Sequence, residues 1–322
     1  MSTVTNDASA VPLDGVAGGS RLATGLTLAV ASALTFGLSG SFASSLFATG
    51  WSAGSVVLVR VVLGALVVLP FGLVALRGRW DAVRRNGGLL LAYGLLAVAG
   101  AQFCYFSAVQ LMQVGPALLI EYTAPAAVVV WFWARHGQRP GLITVVGAAL
   151  AALGLVLVLD LVGGVSLDPA GVAWSLAAMV GAATYFVING NGETGLPPIA
   201  LAAGGLVVGA LGLGLLAVVG LLPLRASTAP VELAGVELAW WVPLLLLGVV
   251  TAGVAYVTGV AAGRRLGSRL SSFVALLEVV AGVVFAWVLL GELPRTIQLL
   301  GGVLILAGVV AVKLGERETV AG

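Results

Sequence analysis

Of the 322 residues, 60% are hydrophobic and 9% charged, with a formal net charge of +2, whereas soluble globular chains carry about 25% charged residues. That much apolar surface cannot be hidden in a water-bathed fold, so the chain reads as an all-α integral membrane protein. A single cysteine, Cys104, and a single histidine, His136, exclude a disulfide framework and a Cys/His metal cluster, and no basic domain points to nucleic acid.

Residues 1–20 are small and polar, with Asp7, Pro12 and Asp14 and no basic residue before Arg21. They lack the positive n-region of a secretory signal and are expected to be a disordered cytoplasmic tail. A spanning helix takes roughly 20 mostly apolar residues. Hydropathy breaks, with Pro, Gly and charge punctuation, predict ten spans. They lie near 22–47, 53–76, 87–110, 115–134, 141–161, 170–189, 198–222, 241–262, 270–290 and 295–314. Pro116, Pro140, Pro198, Pro243 and Pro294 fall at span starts, where a missing N–H does no harm. The eight tryptophans gather near predicted span ends, as an aromatic belt requires. With the N-terminus inside, twelve of the fifteen basic residues face the cytoplasm, Arg225 and Arg295 face outward, and Arg60 lies within the membrane. That asymmetry places both termini in the cytoplasm.

Shifting the chain by 154 positions superposes 127–158 on 281–312. Matches include Trp133/Trp287, Gly137/Gly291, Pro140/Pro294, Ile143/Ile297, Gly147/Gly301 and Gly154/Gly308. The spans therefore divide into two five-helix repeats, 21–162 (spans one to five) and 168–314 (spans six to ten), followed by a tail at 315–322. Five is odd, so the repeats are inverted relative to each other, a recurrent transporter design with its site at the repeat interface.

The run Trp287-Val-Leu-Leu-Gly-Glu-Leu-Pro294, preceded by Leu276-Leu277-Glu278, resembles the end of the fourth helix in each repeat of the drug/metabolite transporter superfamily. More narrowly, the chain is similar to a pair of EamA-type domains from about 22 to 314, and Val59-Arg60 in span two resembles an Arg found there in the family. The first repeat departs from the pattern with Gly137-Gln138 in place of Gly-Glu, and Val279 stands where the family often has Pro. Leu119-Ile-Glu121-Tyr-Thr-Ala-Pro125 resembles the threonine/homoserine exporter branch. The resemblance implies a bacterial, multi-pass plasma-membrane protein working as a monomer or homodimer. It would export an amino acid or similar small metabolite by alternating access, with protons as a candidate coupling partner and no cofactor.

Three ionisable groups lie at membrane depth, where each is a functional candidate by default: Arg60, Glu121 and Glu278. At 1.5 Å per residue, Arg60 and Glu121 both sit roughly 10 Å below the outer surface. They would either pair with each other, orienting two helices, or hold the carboxylate and amine of a zwitterion. Glu278 lies near mid-depth; its repeat counterpart is Ala124. It is either a structural acid or a proton-coupling group. Pro125 should kink span four one turn from Glu121. Gln102, Tyr105, Tyr122, Tyr185 and Tyr256 are further candidates for lining a polar cavity, against simple packing. The small residues Gly37, Gly40, Ser41, Ser44 and Ser45, and the pair Gly205 and Gly209, suit close helix contact. No phosphate-binding loop, HExxH run or Ser-His-Asp set is present, so neither ATP hydrolysis nor familiar hydrolytic chemistry is indicated. An intramembrane lipid or polyprenyl group-transfer enzyme, or a channel, is the alternative reading; the former needs a clustered acidic or His site and the latter a filter.

Overall fold

The computed structural model describes residues 14–136, 141–159, 167–190 and 195–315. The matched Gly137, Pro140 and Gln138 and the expected tails at 1–13 and 316–322 lie outside the described residues. The elements in chain order are α1 Asp14–Ala48, α2 Ala53–Ala75, α3 Trp80–Arg85, α4 Gly87–Ala92, the π-helix π1 Tyr93–Gly100, and α5 Ala101–Val109. There follow α6 Val114–Glu121, α7 Ala124–His136, α8 Leu142–Val158, α9 Pro169–Gly190 and α10 Pro198–Val218. The chain closes with strands β1 Val231–Leu233 and β2 Val236–Leu238, then α11 Trp241–Leu245, π2 Leu246–Val254, α12 Ala255–Ala275, α13 Leu277–Leu290 and α14 Thr296–Gly315.

Six helical runs are long and apolar enough to cross a membrane, beginning at Leu22, Ala53, Gly87, Val114, Pro198 and Trp241. Leu142–Val158, Leu277–Leu290 and Thr296–Val312 are apolar but shorter. Large apolar side chains such as Leu66, Leu142, Leu211 and Val303 stand exposed on the outer faces, as a lipid-facing surface allows.

Three local expectations differ from what forms. Helix α1 begins at Asp14, inside the stretch read as a tail; an acidic residue suits the positive end of a helix dipole. A short antiparallel hairpin, β1–β2, occupies the 219–240 connection in an otherwise helical chain. Its two-residue turn puts Ala234 and Gly235 at positive φ (54° and 75°), the geometry a tight hairpin needs, and the Ala234 N–H donates to Leu289 O at 3.0 Å. Helix α12 also continues through 263–269, where a loop was expected, because that stretch holds good helix formers and no proline. The chain nonetheless reverses direction there. Tyr256 rings Phe36, Gly259 lies beside Ser32, Leu266 lies beside Gly25, and Ala281 is back at the level of Gly37.

The duplicated architecture is visible residue by residue. Helices α8 and α14 pack antiparallel, Gly147 facing Gly308 and Gly154 facing Gly301. Under the 154-residue shift Gly147 corresponds to Gly301 and Gly154 to Gly308, so each glycine meets the counterpart of the other. A two-fold axis perpendicular to both helices produces that crossed pairing. A Cβ on Gly147 would lie 2.7 Å from the Gly308 carbonyl, and one on Gly301 2.6 Å from the Gly154 carbonyl. In lipid, helices gain little from apolar burial and depend on such close backbone approach. The same shift carries Tyr93–Gly100 onto 247–254, so the third helix of each repeat holds a matched π segment. Leu63 of α2 packs on Gly248 of π2 just as Val208 of α10 packs on Gly94 of π1.

Candidate functional site

The interruption of the fourth helix organises the interior. A proline ring clashes with the carbonyl four residues back and offers it no N–H, so Pro125 releases the Glu121 carbonyl. Helix α6 accordingly ends at Glu121 and α7 begins at Ala124, with Thr123 bonding back to Ile120 O. Pro125 sits in the first turn of α7, where its missing N–H costs nothing. The second repeat breaks at the matching place, Leu276, without a proline. Glu278 therefore lies in the first turn of α13, at the positive end of that helix dipole, whereas Glu121 closes the C-terminal end of α6.

Arg60, on α2, is 4% exposed. Its Nη1 donates to Gln102 Oε1 at 2.8 Å and its Nη2 to the Thr251 carbonyl at 3.1 Å, while the guanidinium lies 5.2 Å from the Phe106 ring centre. Its Nε has no hydrogen-bond partner. Thr251 belongs to π2, where the Thr251 hydroxyl bonds back to Leu247 O at 2.6 Å, so a widened helical turn supplies the carbonyl that receives the arginine. Arg60's nearest electrostatic neighbours are Tyr256, Glu278, Tyr105 and Glu121, in that order of influence. Among the described residues no ion pair joins Arg60 to Glu121 or Glu278; both carboxylates are close, and both leave its guanidinium to neutral partners.

The remaining candidates fall into two groups. Tyr122 hydrogen-bonds the Glu278 carboxylate, and Tyr256 hydrogen-bonds Gln102. Glu121, Tyr122, Tyr185, Tyr256, Gln102 and Glu278 all keep part of their surface open in the bundle interior, and Glu278 shares its helix face with the buried Ala281 and Gly282. Tyr105, in contrast, is buried with its hydroxyl against Gly40, and Gly37 packs on Ala281 and Gly282. Gly205 and Gly209 pack inside the bundle, against the Tyr93 ring and the Gly94 carbonyl. Thr184 bonds back to Val180 O. Phe106 and Thr251 join the site although nothing in their sequence context marks them; only the fold brings an aromatic face and a π-helix carbonyl to Arg60.

A model of the EamA-like transporter family matches residues 23–160 and again 169–314. The chain belongs to that family. The threonine/homoserine exporter RhtA of Escherichia coli (strain K12) is 28% identical over 284 residues, covering 87% of this chain and 86% of that protein. RhtA of Salmonella typhimurium (strain LT2) matches with the same identity and coverage. A solved crystal structure, 22% identical, superposes with a TM-score of 0.60 and covers 92% of this chain and 98% of its own, which establishes a shared fold.

The Gly-Glu-Leu-Pro turn of the second EamA repeat has a structural use that its sequence did not disclose. Gly291, at φ 72°, closes α13, and the Glu292 carboxylate then accepts the Val114 N–H at 3.0 Å, capping α6 of the first repeat. Pro294 lies against Gly115 in the next position. Burial pushes the Glu292 carboxyl above the ordinary carboxylate range, against the opposing pull of the Val114 N–H.

Proposed function

We propose that this EamA-type protein exports an amino acid or a similarly zwitterionic metabolite by alternating access between its two repeats. One observation carries the reading: Arg60 is buried with neutral hydrogen-bond partners and an unpartnered Nε, within electrostatic reach of two carboxylates that it does not neutralise. Separated charges of both signs in one interior fit a ligand bearing both a carboxylate and an ammonium. The likeness to RhtA exporters supports the amino-acid class. In this reading the four remaining apolar helices, α8, α9, α13 and α14, complete ten spans, both termini are cytoplasmic, and Glu278 exchanges a proton with the substrate. No cofactor enters this reading.

The test is counterflow and uptake in proteoliposomes, using a labelled panel of the protein amino acids plus homoserine, with and without a pH gradient. Saturable, competed flux of at least one amino acid is expected, accelerated by the gradient. In Glu278→Gln, whose amide oxygen still accepts from Tyr122, flux should persist and its gradient dependence should vanish. Absence of flux for every amino acid would overturn the substrate class, and an intact gradient response in the variant would overturn the coupling role.

A further inference from the structure

The hydrogen bonds around Gln102 have a fixed direction. Arg60 can only donate, so the Gln102 atom facing it at 2.8 Å is the amide oxygen. The amide nitrogen is then the group that meets the Tyr256 hydroxyl, and an amide nitrogen only donates. Tyr256 Oη is thereby used as an acceptor, which leaves its own O–H to donate elsewhere. Among the described residues no acceptor for that proton is found within hydrogen-bonding distance. Arg60 Nε–H is a second donor with no partner, on a side chain 4% exposed. Tyr256 is also the strongest electrostatic neighbour of Arg60, and its ring is held edge-on by Phe36 at 5.2 Å. Two unsatisfied donors, one of them charged, thus stand together in the bundle interior. An orphaned buried donor costs about 1–3 kcal/mol, so both await an acceptor.

We propose that the Tyr256 hydroxyl and Arg60 Nε–H form the subsite for the substrate's carboxylate, and that Gln102 is the positioning residue which orients both donors. This rests on the proposed function and adds to it the end of the molecule that is gripped and the groups that grip it. Glu121 and Glu278 are left for the ammonium and the proton.

The experiment compares wild type, Tyr256→Phe, Gln102→Leu and the double variant in proteoliposomes, each first shown to be monodisperse. Flux is measured with L-threonine, or with whichever panel amino acid the wild type carries, and competition with its decarboxylated amine. Tyr256→Phe removes one oxygen and should raise KM about tenfold or more, the loss of one hydrogen bond to a charged group, with Vmax within about twofold. Competition by the decarboxylated amine should be the same in wild type and variant. Gln102→Leu should raise KM at least as far, and the double variant no further than Gln102→Leu alone, because both changes act through one hydroxyl. An unchanged KM in Tyr256→Phe, with wild-type flux intact, overturns the subsite and leaves the proposed function standing. Multiplying effects in the double variant overturn the positioning role of Gln102. No amino-acid flux in wild type overturns the proposed function and the subsite together.

Discussion

Arg60 has five N–H donors, arranged as a planar fork, and the bundle uses that shape: one arm reaches Gln102, the other the Thr251 carbonyl, and the flat face lies by Phe106. A lysine would keep the charge and lose the fork. Arg60→Lys is therefore expected to fold and to lose at least tenfold in transport efficiency, read as Vmax/KM, since it cannot span both partners and still present a donor to the ligand. The same geometry answers the pairing alternative. If Arg60 and Glu121 were a buried ion pair, deleting Glu121 would rescue Arg60→Ala. With Arg60 satisfied by neutral groups, the double variant Arg60→Ala/Glu121→Ala should melt no higher than Arg60→Ala alone, a comparison that thermal unfolding in detergent makes directly.

At the scale of elements, the Gly-Glu-Leu-Pro turn bolts the second repeat onto the first. Glu292→Ala removes the cap from α6 and should cost about 1 kcal/mol, a few degrees in melting temperature. Glu292→Gln keeps an acceptor for Val114 N–H and should melt near wild type. Their pH dependence separates charge from hydrogen bonding. A carboxyl held above its unfolded value by burial contributes most below the unfolded range, and that contribution is lost as pH rises through the folded value. The wild-type melting temperature should therefore fall relative to Glu292→Gln as pH rises from about 4 to 7; parallel curves would contradict the buried carboxylate. Hydropathy, proline and glycine made the apolar runs and the repeat legible, because lipid imposes length and small residues impose contact. The π segments were not legible, since an added residue per turn leaves no mark in composition. Depth arithmetic placed Arg60, Glu121 and Glu278 at similar levels but said nothing of their angle around the bundle. For that reason Gln102 and Thr251, rather than Glu121, became the partners of Arg60.

For the whole molecule, the crossed glycines of α8 and α14 and the matched π segments describe two repeats that are nearly equivalent in packing and unlike in chemistry. Where α2 carries Arg60, the corresponding site on α10, reckoned from the Leu63/Val208 match, is Gly205, filled by the Tyr93 ring. Near-symmetry of this kind lets two arrangements of the repeats have similar energy, while the asymmetric charges fix what is carried. In the arrangement seen, the face bearing the hairpin is sealed. Ser52 N–H donates to Arg225 O and Arg225 N–H to the Ser52 hydroxyl, both at 3.0 Å; the Trp51 indole donates to Ser227 O at 2.9 Å and stacks on Trp240. Export by alternating access requires those contacts to part once per cycle. Ser52→Cys/Arg225→Cys, with Cys104 replaced by Ser so that no other thiol is present, is expected to transport normally when reduced and to lose flux on oxidation, with recovery on reduction. The single-cysteine variants should be indifferent to oxidant. Full flux through a protein shown by gel shift to be cross-linked would mean that this face does not open during transport, and the rocking of two repeats would have to be abandoned for a path that leaves the seal intact.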